Sequence, residues 1–380
     1  MYKILTLFAS TVAIVCVWHI YSERQASGYD SPAWQRLSSR GAYVNTELSG
    51  MTLLGDQVVF KAAPLMTMDK KSGKKVPLKL GQSSYVFSAC TDKDGHIYAL
   101  SDIHGKIAVQ KQTGDRWQQM AVPDMVAGQP QDFQIVADQE KLALVSSAAI
   151  FTGKSGRWSQ VFSGPKSKEI VSAMPSSQVI MRAGKVYVSQ ADGDKGDVLS
   201  IDLQNGKATK IYNGAAVPFM ALSKDDQLWF VTGEKGKSSL YSLDVKQAAK
   251  PHLEASTSGF RYNVLDRIGS VVGGDPLKAS QAVNWPYEPT WFSGLSVLDD
   301  NSVLVATRDY GLLKYRDGKW EKLTAYWPDS NALNPVVTDI VGLASPRGEN
   351  AVIAVKRGGL VYYDLAKKRY SFWLDPALPQ

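Results

Sequence analysis

Three acidic pairs recur along the chain: Asp92/Asp94, Asp225/Asp226 and Asp299/Asp300. Two carboxylates so placed are the raw material of general acid–base chemistry, in which one group holds a proton and the other takes one. Each pair, however, lies in the same setting, between two short apolar runs, as in CTDKDGHIY, LSKDDQLWF and LDDNSVLV. Asp, Asn and Gly are the residues a tight turn requires, so turn chemistry accounts for all three pairs. A fourth acidic stretch, ADGDKGDV (191–198), spaces Asp192, Asp194 and Asp197 as if to wrap a calcium ion. A complete calcium loop needs a further acidic ligand, which DVLSIDL does not supply, so a polar hairpin is the expectation there. His19, His96, His104 and His252 are too scattered for a metal motif. His96 and His104 flank one strand, IYALSD, and could approach each other, with nothing nearby to complete a ligand set. Of the two cysteines, Cys16 lies in an apolar N-terminal run, which leaves Cys90 alone in the folded part. A disulfide framework and a cysteine zinc site are thereby excluded, and no cofactor is expected.

The chemistry of binding is concentrated elsewhere. The stretch 256–291, STSGFRYNVLDRIGSVVGGDPLKASQAVNWPYEPTW, carries Phe260, Arg261, Tyr262, Arg267, Trp285, Tyr287 and Trp291. Aromatics and Arg dominate protein-binding hot spots. AYWPDSNALNP (325–335) adds Tyr326 and Trp327. The competing reading is a cap whose aromatics pack on the protein itself.

Repetition shows what must position these groups. Alternating apolar runs recur as QVVFKAA, HIYALSD, KLALVSS, KVYVSQ, QLWFVT, SVLVATR and AVIAVKR. Their starts lie about 40–50 residues apart, except for one long gap that contains the 256–291 stretch. Each is preceded by a short strand with an acidic turn and followed by a second strand such as GLLKYRD. A third partner often carries Trp after a Gly-containing turn: GDRWQQM, SGRWSQV, DGKWEKL. Four strands per unit at this period predict an all-β fold, a β-propeller of seven four-stranded blades, with six to eight within range. A chain with 31 Gly, 10 Trp and 44% hydrophobic residues suits that many tight turns around a packed interior. Trp117, Trp158 and Trp320 then fall in the outermost strands and fill the widening space between blades. SPAWQRL (31–37) and RYSFWLD both offer a fourth strand for the last blade. Alternating strand directions put the acidic turns and the Trp-strand turns on one face, and the 256–291 and 325–335 joins on the other.

SVLVATRDYGLLKYRDGKWEKLTAY followed by NPVVTDIVGLA resembles the propeller repeat of the periplasmic sensor parts of two-component regulators. The likeness rests on Ala306-Thr307, Gly311-Leu312, Tyr315, Trp320 and Val337–Leu343, and it covers the last two blades best. It implies a sensory or interaction module. The Thr-Gly…Trp repeat of quinone-dependent dehydrogenases is absent, so quinone chemistry is not expected.

The run from Ile4 to Tyr21 is apolar and, as a helix, would extend about 27 Å, enough to cross a bilayer. It lacks a small-x-small cleavage pattern, so a signal anchor over 1–22 is expected, with a cleaved signal peptide as the alternative. Residues 23–32 read as linker and 33–380 as one propeller domain interrupted at 256–291. No Asn-x-Ser/Thr acceptor occurs, which favours the bacterial inner membrane with the bulk of the chain in the periplasm. The charge of +7 is modest, and the densest basic stretch, DKKSGKKVPLK, lacks interleaved aromatics, so nucleic acid is not an expected partner. The expected function is a membrane-tethered, non-enzymatic scaffold for a protein partner in the cell envelope. A glycan or small-molecule sensor is the first alternative, and an exported hydrolase or lyase the second.

Overall fold

In the computed structural model, the described residues are 85–92, 94–114, 116–138, 141–154, 156–164, 179–192, 195–234, 237–247, 250–257, 283–286, 292–298, 300–307 and 311–323. Backbone strands are described besides at 51–54, 57–60, 66–69, 75–77, 169–170, 337–345, 348–355, 359–365 and 369–374.

The chain builds antiparallel sheets in sequence order. The first holds β1 (Met51–Leu54), β2 (Gln57–Phe60), β3 (Met66–Asp69) and β4 (Lys75–Pro77). The second holds β5 (Tyr85–Thr91), β6 (Ile97–Ile103), β7 (Lys106–Thr113) and β8 (Arg116–Ala121). A short helix, α1 (Asp124–Gly128), leads to the third: β9 (Gln134–Asp138), β10 (Lys141–Val145), β11 (Ala149–Lys154) and β12 (Arg157–Ser163). Next come β13 (Glu169–Ile170), β14 (Val179–Arg182), β15 (Lys185–Asp192), β16 (Lys195–Asp202), β17 (Ala208–Leu222), β18 (Gln227–Glu234), β19 (Lys237–Asp244) and β20 (His252–Ser256), joined as one eight-stranded sheet. The last two sheets are β21 (Phe292–Val297), β22 (Val303–Thr307), β23 (Gly311–Arg316), β24 (Lys319–Lys322), and β25 (Val337–Ser345), β26 (Gly348–Val355), β27 (Gly359–Asp364), β28 (Arg369–Leu374).

The eight-stranded sheet is two units, each four strands deep, that share β17. In the first, β13 and β14 pair one after the other along β15 and together fill one strand position. The first half of β17 pairs with β16 and its second half with β18, and the register slips between Ala216 and Phe219. Pro218 sits in that slip, where it has no amide to offer the ladder. RYSFWL forms β28, so it takes the fourth position of the last sheet. SPAWQRL lies outside the described residues, as does the apolar run 4–21. Among the described residues, no helix is long and apolar enough to cross a membrane.

Burial falls outward across the third sheet and that of β21–β24. The second strands β10 and β22 are buried almost end to end, whereas β12 and β24 are largely exposed or half-buried. A strand with a neighbouring sheet on both faces must be apolar on both, which explains runs such as VLVAT. The core is accordingly a series of layers between sheets. Tyr98, Leu100 and Val109 meet Phe133, Leu144 and Phe151 in one layer, and Phe219, Val231 and Leu240 meet Leu295, Val305 and Tyr315 in another. The first strands touch in chain order, and β1 lies beside both β5 and β25. Four-stranded antiparallel sheets packed face to face around an axis make a β-propeller.

The Trp turns behave as their sequences imply. Gly114, Gly156 and Gly318 adopt φ of +59°, +82° and +77° in the hairpins before Trp117, Trp158 and Trp320. Trp158 reaches across to the preceding sheet, where its Nε1 donates to the Ala121 carbonyl at 2.6 Å. Gly206 (φ +72°) marks a close approach between neighbours, since a Cβ there would lie 1.9 Å from the Val161 carbonyl oxygen.

Candidate functional site

The acidic turns staple the sheets. Asp92 precedes β6 with its side chain only 1% exposed. Its Oδ1 accepts the amides of Asp94 (3.0 Å) and His96 (2.9 Å). Its Oδ2 accepts the Tyr98 hydroxyl at 3.0 Å and lies 2.8 Å from His96 Nδ1. Burial pushes the Asp92 carboxyl up, but the hydrogen bonds from His96 and Tyr98 outweigh it, and the pKa lies below the usual value. Later turns link one sheet to the next. Asp138 Oδ2 accepts the Ala183 amide at 2.8 Å, Arg182 Nε donates to Asp226 Oδ1 at 2.9 Å, and Asn301 Nδ2 donates to Asp225. Asp226 is held below the usual carboxylate range by Lys246 and Arg182. Burial raises the Asp300 carboxyl, yet Ser302 and Lys314 bring it down to about 2.

These depressed values have one thermodynamic sign. A carboxylate favoured in the folded chain stabilises it fully above the unfolded pKa of about 3.9, and that contribution is lost as pH falls through the folded value. The melting temperature of the chain is expected to be level above pH 5 and to fall between pH 4 and pH 2. Asp226→Asn should lower the melting temperature at pH 7 and leave a shallower acid slope, read by circular dichroism.

Asp92, Asp94 and His96 are the one trio of potential metal ligands among the described residues, with ligand atoms within 4.8 Å of one another. They line a cleft of about 140 Å³ with Tyr98, Lys111 and Lys154. The sequence allowed His96 and His104, which flank one strand, to approach each other, and this is corrected: they stand at opposite ends of β6, about 25 Å apart along the strand. The pattern Asp-x-Asp-x-His was the available signal. Both Asp92 oxygens already accept from four donors, which hold the turn in this form.

The join between β20 and β21 has a defined base. Ser256 and Val283 exchange backbone hydrogen bonds of 2.8 and 3.0 Å, so the chain on the two sides of the join is clamped together. Thr257 is buried and tied twice to Ser238, through its amide to the Ser238 carbonyl and through its Oγ1 from the Ser238 amide, both at 2.9 Å. Asn284, at φ +48°, donates through Nδ2 to the Glu254 carbonyl at 3.1 Å and accepts Trp320 Nε1 at 2.8 Å. Trp285 is 7% exposed, with ring centroids 5.0 Å from Trp320 and 5.1 Å from Phe292. The Tyr315 hydroxyl donates to Glu254 Oε2 at 2.7 Å, closing the seam between β20 and β23. Sequence reasoning missed Ser238, Glu254, Thr257 and Asn284; hydroxyl-rich strand ends carry no distinctive period.

Of the predicted binding residues, Trp285 is thus part of this neck. Phe260, Arg261, Tyr262, Arg267, Tyr287, Trp291, Tyr326 and Trp327 lie outside the described residues. Of the calcium candidates, Asp194 also lies outside them, and Asp192 pairs in register with Lys195 as one end of the β15–β16 hairpin. Asp197 is buried, 2.5 Å from Asn213 Nδ2 and 3.1 Å from Lys210 Nζ.

No family model matches the chain, and no curated protein matches it. Solved structures do. YCF48 bound to D1 peptide is 14% identical, covering 84% of this chain and 94% of its own, with a TM-score of 0.55. The WD40 repeats of RRP9 are 11% identical over 82% and 88% of the two chains, with a TM-score of 0.52. The extracellular domain of the putative hybrid two-component system BT4673 from B. thetaiotaomicron is 13% identical with a TM-score of 0.49. The chain matches 84% of its own length to that domain and spans only 39% of the domain's length. The chain is a β-propeller.

Proposed function

We propose that this chain is a non-enzymatic, seven-bladed docking propeller, tethered in the bacterial envelope by its N-terminal apolar run, that holds a protein partner through the 256–291 join. The observation that carries this reading is the neck. A join of binding composition is fixed at its base by the Ser256–Val283 clamp and keyed between two sheets by Trp285. A rigid base limits the conformational entropy lost when a partner is engaged. Contact of the first strands in chain order, with β1 beside β25, supports a ring of seven units. The peptide held by YCF48, a propeller of similar fold, is the kind of occupancy proposed.

The test replaces residues 259–281 with a short Gly/Ser turn, leaving the clamp and Trp285 in place. Intact and altered chains, shown to melt alike, are used to capture proteins from solubilised envelopes. A partner held by the intact chain and lost with the join supports docking there. The same proteins captured by both forms, or none by either, would contradict it.

A further inference from the structure

Three large apolar side chains are exposed among the described residues: Tyr85 at 53%, Met125 at 45% and Val283 at 36%. A single exposed apolar residue is ordinary on any protein surface. Here all three stand at joins between sheets. Tyr85 opens β5, Met125 sits in α1 between β8 and β9, and Val283 lies on the join between β20 and β21. Strand directions alternate, so these joins share one face. The face of the acidic turns exposes no such side chain among the described residues.

Tyr85 and Met125 stand over the same core layer. The Tyr85 ring meets Phe87 edge-on at 4.9 Å, and Phe87 packs against the layer between the second and third sheets. Val126, beside Met125 in α1, is fully buried in that layer. A 3₁₀ turn, Pro130–Asp132, follows α1 and touches β5. This crossing, VPDMVAGQPQDF (122–133), carries two carboxylates and no cation in a chain of net charge +7. Asp124 and Asp132 are both exposed, and neither forms an ion pair among the described residues. The adjoining hairpin adds Asp102, opposite Tyr85 in register, and Lys106, whose charges offset each other.

We propose that this patch binds a basic, amphipathic polypeptide segment. An apolar side chain of the segment covers Tyr85 and Met125, and lysines or arginines beside it meet Asp124 and Asp132. The two carboxylates repel an anionic lipid surface or a nucleic acid, and a small cation would leave the apolar pair uncovered. That the occupant belongs to a docked protein rests on the reading above; the patch itself stands in a different unit from the neck.

The test uses the full chain and a fluorescein-labelled peptide of alternating Leu and Lys residues, read by anisotropy at low salt. Saturable binding is expected, against the net positive charge of the chain. Asp124→Asn/Asp132→Asn should weaken it about fivefold or more, and Tyr85→Ser/Met125→Ser about as much. Asp94→Asn/Asp317→Asn, equal in charge change, should leave it within about twofold. The matching Leu/Gln peptide should bind at least about fivefold more weakly. A chain with residues 259–281 replaced should bind the Leu/Lys peptide as the intact chain does, which separates this patch from docking at the join. No saturable binding, or equal loss in both Asn variants, would overturn the proposal and leave docking at the join standing. Binding that follows the join instead of Asp124 and Asp132 would also overturn it. So would a dimer of the chain in sedimentation that Asp124→Asn/Asp132→Asn dissociates, since the occupant would then be a second copy.

Discussion

Trp285→Ala is expected to destabilise the chain by about 3–5 kcal/mol, the cost of removing a buried aromatic whose surroundings cannot collapse into the space. The indole fills the seam between two sheets, edge-on to Phe292 and to Trp320. Its loss exposes both rings and loosens Asn284, the residue that accepts the Trp320 indole hydrogen bond. Trp285→Phe should recover more than half of the loss. Urea unfolding of the full chain measures both, and partner capture separates the two roles this residue could have. If Trp285 were a contact made directly to the partner, the Ala variant would keep its stability and lose binding. As part of the neck, it loses stability, and binding weakens only because the join is no longer held.

The second large effect is expected at Asp92. Asp92→Ala removes the acceptor for two amides, the His96 ring and the buried Tyr98 hydroxyl together. Leaving buried donors unpaired costs about 1–3 kcal/mol for each group fully cut off from water, so a total of about 2–4 kcal/mol is expected. Asp92→Asn keeps one acceptor oxygen and should lose about half as much. A ligand role for the Asp92, Asp94, His96 trio makes the opposite forecast. Adding calcium or manganese would then raise the melting temperature and a chelator would lower it; neither is expected to move it.

The strands were readable because a period of two, broken by Gly and Asp, survives in nearly every unit. The Trp turns were readable for the same reason, since a positive φ leaves few residue choices. What joins one sheet to the next was not. Arg182 and Asp226 are 44 residues apart, and Asp138 reaches an amide 45 residues on. Such pairs leave no mark in a local pattern. At β17 the outermost strand of one unit and the short strand before the acidic turn LSKDDQLWF are continuous, where the repeat predicts two separate strands. Asn213-Gly214 looks like a turn, but it lies within the strand and Gly214 packs against the Tyr212 ring.

The docking reading is tested most directly at Val283, which is 36% exposed at the clamp. A photocrosslinking residue placed there in the full chain, irradiated in intact cells, samples whatever sits against the neck. The expected result is one discrete protein adduct that disappears when residues 259–281 are replaced. Irradiation that yields no protein adduct at Val283, or the same adduct with and without the join, would contradict docking at this face.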